Sequence, residues 1–540
     1  MNPLRSSPNA GRLSRRDFLQ LASAGAAAAW TSGCASMTRD AGTTRRFSVC
    51  LGPDAIARDP ELIPTIQAAG IRTVWMGGFF YGHWPYPVEQ LVATRRRLEQ
   101  VGLEAQVVNV PLGHPGDSLG SADGQFPLTP PRTWRLAQRP DGTTYAGTSH
   151  HVPATAENVA ALRRLREAGF TRFFVDDDFR LARGPGEIGG CFCPEHQRRF
   201  CERTGYSPTQ WQEMLEDIRA RRLSARVRAW VEFIGDELTG SFRAQEAVVG
   251  RGRLGPMVMY LGAEKAGIRL RDYRDRPFRV GELMFDDNSF GKPKGKTDEL
   301  FSVLFHRRFV PPELACSETT AYPADRLSAA NLAAKLVIST IADVRHTMFM
   351  SGVTPFPRAH WATLGPAMRE QADLHARLAG HRPAGPFKHF WGERSRWVGT
   401  DRPFSLFLAT GVPFAVTETP APDGWTFIAD DDVEGLEVPA GVNPARLVCR
   451  PSAPNPPTAA TLVEESLPAL FALKARLRPQ LAEIPTVIED EPVVLAWYPT
   501  AHAVLLWNLL PEPRRVTVAR GWFRQTADLP PLGARLLDGW

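Results

Sequence analysis

From about residue 46 onward, apolar positions follow two alternating patterns. Short, nearly continuous apolar runs read as strands buried on both faces: FSVCLG from Phe47, RTVWMGGFF from Arg72, EAQVVNVPLG from Glu104 and TRFFVDDDF from Thr171. LGPMVMYLGAE from Leu254, FRVGELMFDD from Phe278, ELACSETT from Glu313 and RHTMFMSG from Arg345 continue the series. Between them apolar residues recur at helical spacing inside start and stop signals. DPELIPTIQAAG opens on Asp59-Pro60 and closes on Gly70, and TAENVAALRRLREAG opens on Thr155 and closes on Gly169. Strands alternating with helices in this way predict a parallel sheet closed as a (β/α)8 TIM barrel over residues 46–382. An open doubly wound sheet is the alternative, but no Gly-rich phosphate turn follows the first strand.

Two further units are expected. Residues 383–482 contain FSLFLATGVPFAVTETPAPDGWTFIADDDVEG, ARLVCRPSA and a helix from about Ala459 to Leu477, which reads as a small α/β layer. Residues 483–540 alternate without helical period and carry turn signals, so a small β domain closes the chain.

Composition narrows the class. Hydrophobic content of 43% and charged content of 23% are ordinary for a soluble globular protein. The net charge of +6 lies largely on arginines of helical stretches such as VATRRRLEQVG and ALRRLREAG, the mark of solvated faces and not of a nucleic-acid partner.

Residues 1–40 are read as a leader outside the fold. Ser14-Arg15-Arg16-Asp17-Phe18-Leu19 precedes a short Ala-rich apolar run and resembles the twin-arginine signal that exports folded proteins to the periplasm or beyond. Thr31-Ser32-Gly33-Cys34 resembles a lipoprotein box with Thr31 where Leu is usual, which makes Cys34 a candidate for a lipid anchor. No later run is long enough to span a bilayer, so the mature body is expected to be soluble.

In a (β/α)8 barrel, chemistry gathers where strands end. The fourth strand ends in Asp176-Asp177-Asp178, the fifth at Glu264, the sixth at Asp286-Asp287 and the seventh at Glu318. The second ends in Tyr81, His83 and Trp84, and the third leads to His114. One mouth is therefore expected to collect carboxylates, aromatics and histidines. Aromatic faces stack on pyranose rings and carboxylates bind hydroxyls, so a carbohydrate substrate is the expectation. Glycoside hydrolysis needs one protonated and one ionised carboxyl group, and crowded carboxylates raise the pKa of one member. Strand alternation places Asp176 and Asp178 on one face, with Asp178 nearer the mouth. Asp178 is thus the preferred acid/base and Asp177 the next candidate, while Asp176, Tyr81, His83, Trp84, His114, Glu264 and Asp287 are candidates for holding substrate. Two other classes stay open: a non-catalytic carbohydrate-binding barrel, and a metal-dependent hydrolase using His83, His114 and the aspartates.

Export would put the seven cysteines in an oxidising compartment. Only Cys191, Cys193 and Cys201 cluster, with His196 among them in GGCFCPEHQRRFC. Cys191, Cys193 and His196 can offer ligands to a tetrahedral, structural zinc, with Cys201, His150 or His151 as the fourth. A disulfide from Cys201 to Cys191 or Cys193, or buried free thiols, are the other readings.

An acid at the end of strand four and Glu318 at the end of strand seven resemble the retaining (β/α)8 glycoside hydrolase clan. The three-part layout resembles the family 42 β-galactosidases, whose barrel precedes a glutamine-amidotransferase-like trimerisation domain and a small β domain. GVPF leading to GW is similar to that middle domain, and GGCFCPEHQRRF is similar to the family's Cys-x-Cys-x-x-Cys zinc element, with His196 in place of its last cysteine. The resemblance implies Glu318 as nucleophile, a retaining double displacement, a structural zinc and a trimer. The family's Asn-Glu pair at the end of strand four is DDDF here, so Asp178 stands where a glutamate is expected.

Overall fold

A computed structural model describes residues 45–112, 130–148, 150–151, 153–176, 179–182, 184, 186–258, 261–282 and 284–540. The leader with Cys34, together with His114, Asp177 and Asp178, lies outside the described residues. Strands β1 (Arg46–Cys50), β2 (Thr73–Phe80) and β3 (Glu104–Val110) are followed by a hairpin, β4 (Leu136–Gln138) and β5 (Thr144–Thr148). Then come β6 (Phe173–Val175), β7 (Leu254–Gly255), β8 (Phe278–Val280), β9 (Ala315–Thr320) and β10 (His346–Met350).

Leaving out the hairpin, these make one eight-stranded parallel sheet in the order β7-β6-β3-β2-β1-β10-β9-β8. Its edges meet: Met257 bridges to Arg279, with the Val258 amide donating to the Arg279 carbonyl at 3.0 Å. The fold is a TIM barrel. Its strands lie between the interior and a helical ring, so both faces are apolar, and β3 is buried at every position after Glu104. Cys50, Trp75, Val108, Phe174, Cys316, Met348 and Met350 fill the interior.

Helices Leu62–Ala69, Val88–Gln100, Ala154–Glu167, Ala225–Val249, Pro293–His306, Ala329–Ile341 and His360–Leu378 clothe the sheet. Gly70, at φ +119°, ends the first of them in the left-handed conformation that glycine tolerates best. Between β7 and β8 two 3-10 turns, Ala263–Ala266 and Leu270–Tyr273, stand in place of a helix. After β6 the chain inserts helices Pro194–Thr204 and Pro208–Arg219, which share a separate apolar core of Phe200, Trp211, Trp230 and Phe233.

Strands β11 (Phe387–His389), β12 (Phe414–Val416), β13 (Trp425–Phe427), β14 (Leu447–Cys449) and β15 (Thr461–Leu462) form a parallel sheet in the order β12-β11-β13-β14-β15. The helix expected from about Ala459 begins at Leu467, because Thr461 and Leu462 pair with β14 and Ser466 caps the helix with Pro468 in its first turn. The C-terminal β domain has two antiparallel three-stranded sheets. They are β16 (Thr486–Val487), β19 (Arg514–Arg520) and β20 (Phe523–Leu529), and β17 (Val493–Tyr498), β18 (Ala503–Asn508) and β21 (Ala534–Asp538). Val493, Leu495, Val504, Val516, Val518 and Leu537 pack between them. No described helix is long and apolar enough to cross a membrane.

Candidate functional site

At the C-terminal ends of the barrel strands, two carboxylates converge on one guanidinium. Arg279, fully buried on β8, directs Nη1 to Asp176 Oδ1 at 3.3 Å and Nη2 to Glu318 Oε2. The same guanidinium lies over the Phe174 ring at 5.5 Å and near the Met350 sulfur at 3.2 Å. Glu318 stands on β9, and its Oε1 accepts from the Thr320 hydroxyl at 2.6 Å. Asp176 follows β6 directly, its amide donating to the Asn109 carbonyl at 2.9 Å.

Strand alternation explains the convergence: Cys316, Glu318 and Thr320 share one face of β9, and Cys316 is an interior residue. Asp176 and Glu318 thus share one guanidinium on the floor of the mouth. Burial opposes the charge on Arg279, but Glu318 and Asp176 hold its pKa above the ordinary arginine value. Burial pushes the Cys316 thiol up to about 12, so it is inert.

The other candidates are placed elsewhere. Glu264, in a 3-10 turn after β7, accepts from Arg396 Nε at 2.5 Å and joins the barrel to the following layer. Asp287 Oδ1 accepts from the Ser328 amide at 2.9 Å and from Asn331 Nδ2 at 2.8 Å, bracing the start of helix Ala329–Ile341. Tyr81 is buried with φ +34° and packs with Phe79, Val110 and Trp134. Trp84 lies 5.2 Å from the Phe79 ring and under the Arg164 guanidinium at 5.3 Å, toward the helical ring. His83 pairs with Phe80 and stands edge-on to Tyr81 at 6.1 Å. Arg279 and Tyr322 were not anticipated. Tyr322, 44% exposed, follows β9 by two residues, and its amide donates to the Phe285 carbonyl at 3.0 Å. Its signal is the Tyr-Pro that closes CSETTAYP; that of Arg279 is a lone cation inside the apolar run FRV.

A second constellation lies on the loop after β6. His151, Cys191, Cys193 and His196 are all buried, and their ligand atoms lie within 4.8 Å of one another. Cys193 is the N-cap of helix Pro194–Thr204 and His196 its N3 residue, the two positions whose side chains face each other in a capping box. That local geometry brings Cys193 Sγ to 3.3 Å from His196 Nδ1, and His151 Nε2 approaches the same sulfur at 3.6 Å. Each ring aims its other nitrogen at a carboxylate: His151 Nδ1 at Glu195 (3.2 Å) and His196 Nε2 at Glu237 (4.0 Å). For His151 this is the carboxylate–histidine arrangement that orients metal ligands, whereas His196 Nε2 stands too far from Glu237 for a hydrogen bond.

Burial lowers the His196 pKa to about 3, so its ring is neutral and a lone pair is available. Burial raises the Cys191 thiol to about 11, so without a cation it keeps its proton. Cys201 lies farther along the same helix and packs against the inserted apolar core. His151, and not Cys201, stands with Cys191, Cys193 and His196 in this cluster. All the described cysteines are free thiols, so neither disulfide to Cys201 is formed.

No family model matches the chain. No curated protein matches it either. Solved structures similar to it include an α-L-fucosidase of Paenibacillus thiaminolyticus, at 10% identity and a TM-score of 0.45 over 77% of this chain. A family 27 β-L-arabinopyranosidase of Geobacillus stearothermophilus in complex with arabinose matches at 9% identity and a TM-score of 0.42, over 92% of this chain and 96% of its own. A family 31 dextranase of Flavobacterium johnsoniae complexed with glucose matches at 12% identity and a TM-score of 0.32 over 62% of this chain. The chain spans 65% of the fucosidase and 40% of the dextranase.

Proposed function

We propose that the barrel is an exported glycoside hydrolase working by a retaining double displacement. The observation that carries this reading is the pair of buried carboxylates, Asp176 and Glu318, held by Arg279 at the ends of non-adjacent barrel strands. An ion-paired carboxylate suits a nucleophile and not a proton donor. Glu318 is assigned the attack, Arg279 keeps it ionised and oriented, and the acid/base falls to Asp178 or Asp177 beyond the paired Asp176. Glu318 bonds to the anomeric carbon as the glycosidic C–O bond breaks, and the leaving oxygen takes the proton of the acid. That residue then takes a proton from water, whose oxygen displaces Glu318. The resemblance to family 42 makes an aryl β-galactoside the first substrate to try, and the leader motif supports export.

Replacing Glu318 by Gln should reduce turnover of activated aryl glycosides by a factor of at least about 10³ with the fold intact by circular dichroism. An unchanged rate sinks the assignment. One observation favours a second reading, a barrel that binds glycans without cleaving them: both oxygens of Glu318 are engaged, by Thr320 and Arg279, and the residue is 3% exposed. Glycan binding without turnover by the native protein would select it.

We further propose that His151, Cys191, Cys193 and His196 hold a zinc ion. Two thiolates and two imidazoles would neutralise the divalent ion in a tetrahedral set with no open position, so the metal is structural. The Phe192 amide joins the loop after β6 to the Gln138 carbonyl of the β4–β5 hairpin at 2.9 Å, and the ion would tie that loop through His151 to the chain entering helix Ala154–Glu167.

A further inference from the structure

We propose that the β19–β20 hairpin carries a glycan-binding platform centred on Trp522, outside the barrel; for its class of ligand the proposal rests on the glycoside hydrolase reading. Trp522 is 92% exposed, and among the described residues the exposed large apolar side chains Val101, Tyr322 and Leu462 belong to other elements. Only Phe523, 39% exposed, adjoins it.

Trp522 follows Gly521 in a two-residue turn closed by the Arg520–Phe523 pair, and Gly521 adopts φ +56°, which suits glycine at such a corner. An aromatic ladder steadies the tip. Trp540, 4% exposed in the β-domain core, lies 4.8 Å from Phe523 at 67°, and Phe523 lies 6.5 Å from Trp522 at 88°. The Trp540 indole is fixed in turn by its Nε1, which donates to Gln525 Oε1 at 3.1 Å.

The surroundings are polar. By strand alternation Arg524 and Thr526 share the exposed face of β20, the strand leaving the turn that carries Trp522, and Thr517 stands opposite Thr526 with the two hydroxyls 3.2 Å apart. Arg524 is exposed and has no ion-pair partner among the described residues. An open ring flanked by donors and hydroxyls matches an amphipathic sugar, whose C–H face stacks while its hydroxyls take hydrogen bonds. A protein interface would need a broader apolar centre, and a bilayer a wider apolar face.

The test is migration of the full-length chain in native gels containing xylan, galactan, arabinogalactan or dextran. The native protein should be retarded in at least one gel, W522A should bind that glycan about tenfold more weakly, and W522F should retain part of the effect. Turnover of small aryl glycosides should be the same in W522A as in the native protein. Equal migration of native protein and W522A in all four gels overturns the proposal. So does flotation with phosphatidylglycerol vesicles that is lost in W522A, which would mark a lipid contact. If W522A loses retardation while the native protein turns over no aryl glycoside, the platform stands and the hydrolase reading fails.

Discussion

Arg279 is the residue on which the candidate site turns, because its guanidinium joins Asp176 to Glu318. Removing one partner of a buried ion pair leaves uncompensated charge and costs about 3–5 kcal/mol. R279M should therefore lower the thermal midpoint markedly and abolish turnover. R279K, which supplies a point charge without a fork, should recover part of the stability and little of the rate. Thermal unfolding beside an aryl-glycoside assay reads both, and an R279M protein of native stability would contradict the ion-pair account. The apolar pattern alone could not separate Glu318 from Glu264 and Asp287, since all three follow predicted strands, and only the family resemblance singled out Glu318. What distinguishes them is their partners: Arg396 lies 132 residues from Glu264, and Ser328 lies 41 from Asp287. Such pairings leave no local signature. Arg279 did leave one, because a lone cation inside an apolar strand must point to a counter-charge.

At the scale of elements, the loop after β6 shows which constraints are local. The spacing of Cys191, Cys193 and His196 already made them candidate ligands, and the helix start sets the mutual geometry of Cys193 and His196. The fourth corner was left open among three residues, since His151 arrives from 42 residues upstream of Cys193. The β4–β5 hairpin escaped notice although Pro140-Asp141-Gly142 is a turn signal, with Arg139 and Thr143 joined across it at 2.7 Å. The ligand set predicts about one zinc per chain by elemental analysis. C193S and H151A should lose it, and C201S should keep it. Chelation should lower the thermal midpoint of the native protein and leave that of C193S unchanged. Zinc retained by C193S, or lost by C201S, would reassign the ligands.

Across the whole molecule the barrel was legible because most of its strands are buried on both faces and write nearly continuous apolar runs. The buried charges that tie strands to helices were not. Lys265 and Asp401 pair at 2.6 Å between barrel and parallel layer, and Lys335 serves both Glu299 (2.6 Å) and Glu282 (3.4 Å) between sheet and helices. One ammonium for two carboxylates leaves a surplus charge in a dry place. Burial raises the Glu282 pKa well above the ordinary glutamate value; Lys335 opposes the rise, and the charges of Glu299 and Glu318 add to it. The sign follows from proton binding. Above the ordinary glutamate value the native state holds a proton that the unfolded chain has lost, so stability falls as pH rises toward the raised pKa. E282Q mimics the protonated form at every pH. Its midpoint should match that of the native protein near pH 4.5, exceed it increasingly toward pH 8, and flatten the decline. Parallel melting curves for the two proteins across that range would show instead that Glu282 is ionised in the fold.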